Sequence, residues 1–383
     1  MMKPYIIISG LDLNDPNRGT AALGYGSFTF LKENNLLNEP VKVVDIHFFV
    51  NVFNRENWGV VKKKKLIQGI DVEFIRVNAF APLYKLLSKN RKYPFWTRIS
   101  RFMKKVQYVA AINGGDGYSD IYSTRTFLNR LTEINLARDY NIPYIFLPQT
   151  LGPFSEEENR LLANSILNNA QKIYVRDECY VKELSSMGLN YELVKDLSYY
   201  MKPEDSGIKI RKNSVGINIS GLAYDNSFRT LTGQFDNYKF LIDLLIKRFL
   251  NNNIPVYLIP HSYNYTNPEV SNDDMTACKD AYRKYSSNPL ISFVSQNLTA
   301  PEVKFVISKM SFFIGTRMHS NFAAIYTGVP LYGLAYSSKF EGAFKSNGVY
   351  EDNISMINKI SRQDCYAIVD KIYQYYLTKK QEL

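Results

Sequence analysis

The 383 residues, 45% of them hydrophobic, suffice for two domains with a substantial core each and exclude a disordered chain. No apolar run approaches membrane-spanning length, and residues 5–8 read as a short strand between Lys3 and Gly10 rather than a secretion signal, so a cytoplasmic protein is expected. With 47 basic and 36 acidic residues the net charge is +11, which favours acidic partners: nucleic acid, an anionic bilayer or a phosphorylated small molecule.

Three widely separated cysteines suggest neither a disulfide framework nor a structural zinc site. His47, His261 and His319 are too scattered for a metal cluster, so no tightly bound transition metal is expected. No nucleic-acid-binding module is visible.

In chain order, residues 5–9 form an apolar strand, followed by a polar loop through Asn17, Arg18, Gly19 and Thr20 and a helix from about Ala21. A strand at 41–46 precedes a basic region, 51–105, read as an insertion. Between Tyr84 and Lys105 it interleaves Lys85, Lys89, Arg91, Lys92, Arg98 and Arg101 with Leu86, Tyr93, Phe95, Trp96 and Phe102, without one Asp or Glu. A membrane-surface patch and a solvated insertion with its aromatics packed inward both fit. Strands at 106–112, 143–147 and 172–175 alternate with helical spacing at 126–140, 156–169 and 178–187. Polar residues 202–212 read as a linker between a first domain, 1–201, and a second, 213–383.

The second series places strands at 214–219, 254–259 and 290–294, and helices at 238–250 and 274–284. A capping box with proline in its first turn, Thr299-Ala300-Pro301-Glu302, announces another helix. An amphipathic helix with Cys365, Ile368, Val369, Ile372 and Tyr376 on one stripe closes the chain. Repetition of β and α units implies parallel sheets and two Rossmann-like domains facing a central cleft, with ligands at the carboxyl ends of the strands.

The most informative stretch is 311–336. A buried strand at 312–314 turns sharply at Gly315-Thr316 and hands over to Arg317, Met318, His319 and Ser320 at the head of a helix. That helix ends at Gly328, and Pro330 leads into a strand through Leu334. A helix N-terminus outside a sheet offers open N–H groups and the positive end of a dipole, which suits an anion. The guanidinium of Arg317 can grip phosphate or carboxylate, and the imidazole of His319 can move a proton. Arg317 capping a carboxylate and His319 as a satisfied ring is the structural alternative.

Other strand-end loops point to the same chemistry. The loop with Asn17 and Gly19 could present backbone N–H groups, and Gly114-Gly115-Asp116-Gly117 offers a carboxylate to a sugar hydroxyl. Arg176 directly follows a buried strand and needs a partner, either Asp177 or a bound anion. His261 ends a strand upstream of Asp273-Asp274, and Lys339 follows the strand at 331–335.

Together, Gly315-Thr316-Arg317-Met318-His319-Ser320 with Gly328-Val329-Pro330, Gly114-Gly115-Asp116, Gln149-Thr150-Leu151-Gly152-Pro153, Val175-Arg176-Asp177 and the Asn17-x-Gly19 loop resemble the polysaccharide pyruvyl transferase family. Met318 stands where that family more often has leucine. The resemblance implies a glycosyltransferase-B-like fold and an enzyme that moves pyruvate from phosphoenolpyruvate onto two hydroxyls of a sugar as a cyclic ketal, in cell-surface polysaccharide synthesis. It implies His319 as the general acid and base, and Arg317, Lys339, Arg176, Ser320 and Met318 around phosphoenolpyruvate. Asn17, Gly19, Asp116 and His261 are expected on the acceptor side. No cofactor or metal is required, and a lipid-linked oligosaccharide at the inner membrane face is an attractive acceptor. A nucleotide-sugar-dependent glycosyltransferase and a catalytically inactive carbohydrate module are the alternatives.

Overall fold

A computed structural model describes residues 4–51, 53, 59–89, 97–336, 342, 344, 347, 349 and 353–382. Two compact units account for the chain: Met1–Asp12 with Leu23–Tyr200, and Leu13–Ala22 with Met201–Leu383.

The first unit is built on an eight-stranded sheet of β1 (Tyr5–Ser9), β2 (Val41–Phe49), β3 (Val60–Ile67), β4 (Ile70–Phe80), β5 (Val106–Ala111), β6 (Tyr144–Gln149), β7 (Lys172–Val175) and β8 (Glu192–Leu193). The spatial order is β3-β4-β2-β1-β5-β6-β7-β8. All neighbours run parallel except β3 against β4. The apolar runs of β1, β5 and β6 follow from helices covering both faces, which bury all but Tyr5 and Gln107 of these central parallel strands.

The region read as an insertion contains β3 and β4, which widen this sheet. Gln68 (φ +50°) and Gly69 (φ +77°) form the two-residue turn between them, a backbone that matches the twist of a hairpin. In β4 the buried residues Ile70, Val72, Ile75 and Val77 lie between β2 and β3. Lys62, Lys63, Lys64 and Lys65 stand exposed on the edge strand, where charge discourages pairing with another sheet edge. The helical spacing at 126–140 divides into two helices, Thr124–Arg130 and Thr132–Asp139.

The second unit holds β9 (Val215–Asn218), β10 (Val256–Leu258), β11 (Ile291–Phe293), β12 (Phe312–Gly315), β13 (Leu331–Ala335) and β14 (Ile354–Met356), all parallel. The order is β11-β10-β9-β12-β13-β14. Counted from β9 this is third, second, first, fourth, fifth, sixth, the doubly wound order that binds nucleotides where the strand sequence reverses. The reversal lies between β9 and β12, so the ends of those two strands flank the predicted ligand crevice. Phe312, Phe313 and Ile314 are fully buried, each contributing on the order of 1.5–3 kcal/mol by leaving water. The helices Tyr238–Asn251 and Arg362–Gln381 cover one face, and the second buries Cys365, Ile368, Val369, Ile372 and Tyr376. The helices Ala300–Ser308 and Met318–Ile325 cover the other.

A contiguous division at 201 does not describe the second unit, because Leu13–Ala22 packs within it. Asn17 and Ser262 form an antiparallel bridge, Tyr263 N–H donates to the Pro16 carbonyl at 3.0 Å, and Arg18 N–H donates to the His261 carbonyl at 3.0 Å. These backbone bonds fasten the segment to the loop after β10.

Candidate active site

β12 delivers the chain to Gly315, and the helix Met318–Ile325 starts three residues later, with Arg317 as its N-cap (φ −86°, ψ 135°) and no side chain capping it. Asn218, the last residue of β9, closes the turn. Its Oδ1 accepts from Thr316 N–H at 3.3 Å, Arg317 N–H at 2.8 Å and Ser320 Oγ at 3.1 Å, while its Nδ2 donates to the Ile259 carbonyl at 3.0 Å. A buried amide with both ends engaged fixes the turn at the point of strand reversal.

Asp274, fully buried, is the hub. Its carboxylate accepts from Gly221 N–H (2.8 Å), His261 N–H (3.1 Å) and Ser262 N–H (2.9 Å), and from Arg317 Nη2 at 2.7 Å. Arg317 Nε also lies 3.1 Å from Asp274 Oδ1, and Nη2 is 2.7 Å from Asn272 Oδ1. Burial works against the Arg317 charge, and the Asp274 carboxylate more than reverses that, holding the guanidinium protonated. The Nε/Nη2 edge of this arginine is thus engaged by protein. Its capacity to grip a ligand with that fork is smaller than the sequence suggests, and Nη1 lies outside these bonds.

His319 is half-buried on the first turn of the helix, with the Phe322 ring edge-on at a centroid distance of 5.5 Å. Gly19 lies directly against it: a Cβ at position 19 would fall 2.6 Å from His319 Nδ1. Gly19 stands in the first turn of the helix Arg18–Glu33, and its N–H donates to Asn17 Oδ1 at 3.0 Å, so that donor holds the helix start rather than facing a ligand. Asn17, Gly19 and His261, expected on the acceptor side, all belong to the unit of His319, because the segment Leu13–Ala22 does.

Arg18 is the residue whose weight the sequence concealed. Only 7% exposed, it donates from Nε to the Leu298 carbonyl (2.7 Å), from Nη1 to the Asp15 and Pro16 carbonyls (3.0 Å each) and from Nη2 to Asn297 Oδ1 (3.0 Å). Its guanidinium carbon sits 4.2 Å from the Tyr263 ring centroid. Among the described residues these acceptors are all neutral, so the cation is well hydrogen-bonded but has no counter-charge of its own.

His261 is 4% exposed. Burial first, and then the positive charges of His319, Arg18 and Arg317, press its pKa well below the ordinary 6.5, so the ring is neutral. Arg18, Arg317, His261 and His319 are therefore electrostatically coupled, with the buried Asp274 paired to Arg317.

Two residues expected around phosphoenolpyruvate have partners within the protein. Ser320 is fully buried, and its hydroxyl donates to the Arg317 carbonyl at 2.7 Å, which tightens the turn. Met318 packs against the apolar cluster of Ile259, Val303 and Phe313. Lys339 lies outside the described residues.

Arg176 belongs to the first unit and has partners there. Its Nη1 is 2.7 Å from Asp196 Oδ2, its Nε 3.0 Å from Thr150 Oγ1 and 3.7 Å from Asp177 Oδ2. Burial opposes its charge, but Asp196 and then Asp177 override that. Asp196, more than the adjacent Asp177, is the compensating group. In the loop after β5, Gly114 and Gly115 take positive φ, and Asp116 Oδ2 accepts from Tyr122 Oη at 2.9 Å.

Two doubly wound sheets, parallel but for the edge strand β3, with charged residues at strand ends, define a protein of the glycosyltransferase-B-like class. The chain belongs to the polysaccharide pyruvyl transferase family, whose model it matches over residues 17–338. Among solved structures it is similar to the UDP-GlcNAc 2-epimerase from Neisseria meningitidis bound to UDP-GlcNAc. That match has a TM-score of 0.53 at 13% identity and covers 98% of this chain and 92% of that one. It is also similar to the UDP-GlcNAc 2-epimerase from Methanocaldococcus jannaschii, with a TM-score of 0.53 at 11% identity over 97% and 91% of the two chains. At such identities the likeness is one of fold. No curated protein matches the sequence.

Proposed function

We propose that this chain transfers pyruvate from phosphoenolpyruvate onto two hydroxyls of a sugar, forming a cyclic ketal in the synthesis of a cell-surface polysaccharide. The observation that carries the reading is the turn at 315–320, where Arg317 and His319 head a helix at the strand reversal, with the buried Arg18, bonded among the described residues to neutral acceptors, in the same unit. A donor with a phosphate and a carboxylate suits such a site.

The chemistry needs one proton donor and acceptor. The methylene carbon of phosphoenolpyruvate takes a proton from His319 while a sugar hydroxyl adds to the adjacent carbon, and His319 recovers the hydroxyl proton. The C–O bond to phosphate then breaks, the second hydroxyl closes the ring, and its proton leaves with the phosphate. One hydroxyl proton thus ends in the new methyl group and the other on inorganic phosphate. Arg317 and Arg18 stabilise the anion as negative charge moves to the leaving group. This scheme calls for no cofactor, and turnover in excess chelator is expected to match turnover without it.

Asp116, hydrogen-bonded to the half-exposed Tyr122, remains the acceptor-side candidate of the first unit. A lipid-linked acceptor fits the helix Ala81–Lys89, where Leu83 and Leu86 are exposed beside Lys85. Among the described residues no helix is long and apolar enough to cross a membrane. Liposome binding that survives neutralisation of Lys85, Lys89, Arg91 and Lys92 would remove the membrane part.

Thermal stabilisation tests the donor. Phosphoenolpyruvate is expected to raise the melting temperature and UDP or GDP to leave it unchanged. The reverse pattern would assign the chain to nucleotide-sugar transfer instead.

A further inference from the structure

His261 is a buried imidazole that the pyruvyl-transfer scheme leaves without a task. Its backbone is held at both ends, N–H to Asp274 Oδ2 at 3.1 Å and carbonyl to Arg18 N–H at 3.0 Å, so the ring is presented by a fixed loop rather than a mobile one. Among the described residues no hydrogen-bond partner reaches its Nδ1, which is shielded from solvent. A buried ring nitrogen with nothing to bond is unfavourable in either tautomer. The groups that act electrostatically on the ring are His319, Arg18 and Arg317. Of the two buried carboxylates at this loop, Asp274 is paired with Arg317, and Asp273 accepts from the backbone N–H groups of Asn264 and Thr276.

We infer that His261 is a second ligand-binding group of the turn at 315–320, with Nδ1 donating a hydrogen bond to an oxygen of the anion bound there. The inference rests on the anion role proposed for that turn and holds whichever phosphate or carboxylate compound is the donor.

Two physical points favour a donor over a proton shuttle. The ring lies among positive charges, so a proton added to it is opposed on several sides, whereas an incoming anion relieves that field. An imidazole that stays neutral throughout the working pH range presents an N–H without competing for the proton that His319 transfers. The two histidines thereby divide the work: His319, half-buried at the head of the helix, exchanges protons, and His261, buried behind a fixed backbone, positions the anion.

The full-length chain tests this with phosphoenolpyruvate and inorganic phosphate as probes, read by anion-induced melting shift and by equilibrium titration. His261→Phe retains a ring of similar size without a nitrogen, and His261→Asn places an amide at the level of Nδ1. Weakening of anion affinity by about tenfold or more in His261→Phe is expected, with His261→Asn within about threefold of wild type. If His261→Phe does not fold, His261→Asn carries the test together with His261→Leu. A purely structural role would lower the ligand-free melting temperature in both variants and leave the anion-induced shift of the folded protein intact; that result overturns the inference. Stabilisation of the wild type by phosphate but not by phosphoenolpyruvate would end the donor assignment and leave His261 in place. Stabilisation by phosphoenolpyruvate that His261→Phe preserves would do the opposite. No stabilisation by either anion would overturn both.

Discussion

Gly19 and His319 are in such close approach that a single methyl group at position 19 would lie 2.6 Å from Nδ1 of the imidazole. Real Cβ atoms do not come that near, so either the start of the helix Arg18–Glu33 or the ring must move. Gly19→Ala is therefore expected to displace His319 and reduce turnover by about 10²-fold, the usual consequence of moving a reacting group by about 1 Å. Steady-state release of phosphate measures this. Wild-type turnover in Gly19→Ala would show that the position of His319 against this helix start is unimportant.

His319→Gln tests the proton transfers directly. Glutamine keeps a polar group at the head of the helix but cannot accept and return a proton at neutral pH. Turnover is expected to fall by about 10²–10⁴-fold. Affinity for phosphoenolpyruvate, measured by calorimetry, should stay within a few-fold of wild type. Full activity in this variant would sink the assignment.

Asp274 holds Arg317, three backbone N–H groups and the loop after β10 together. Asp274→Asn leaves a buried guanidinium without its counter-charge and is expected to cost about 3–5 kcal/mol of stability. Urea unfolding of Asp274→Asn, Arg317→Met and the double variant gives the coupling energy. A double variant whose loss equals the sum of the single losses would mean that the two side chains do not act as a pair.

The buried ring of His261 makes stability depend on pH in a definable window. The folded protein keeps it neutral, because burial and the surrounding cations depress its pKa well below 6.5, whereas the unfolded chain takes up a proton near that value. Below 6.5 the unfolded state binds more protons, so stability rises with pH there. This contribution is complete above 6.5 and diminishes as the pH falls toward the depressed pKa of the folded state. Chemical denaturation between pH 7.5 and 5 should show a steeper acid decline for wild type than for His261→Asn. Parallel curves would contradict the placement of a neutral ring at 261.

Much of this was legible in the sequence because local signals and tertiary packing agree. The strand at 331–335, the capping box at Thr299 and the stripe from Cys365 to Tyr376 are local patterns, and each coincides with an observed element or buried face. The hairpin of β3 and β4 was obscured by its lysines, although Gln68-Gly69 between Ile67 and Ile70 marked a turn. The partners of Arg317 could not be read, since Asp274 and Asn218 stand 43 and 99 residues upstream and meet it only through the order of parallel strands. Asn218 did carry a faint signal: an amide ending an apolar strand requires partners. Arg18 carried less, because an arginine in a polar loop is ordinarily solvated, and its burial depends on Tyr263 and Leu298.

The assignment of Leu13–Ala22 to the second unit also bears on how the protein is made. During synthesis these residues emerge before Leu23–Tyr200, and the rest of their unit follows only after that stretch has been completed. The second unit must recover a short piece, a turn, one bridge residue and the start of the helix Arg18–Glu33, from the other side of the first unit's sequence, at the entropic cost of closing a long loop. A chain begun at Met201 would lack Arg18 and the glycine that lies against His319. Such a half would have the helix and its histidine but not the wall that orients them, and adding residues 13–22 back as a peptide is the direct way to restore it.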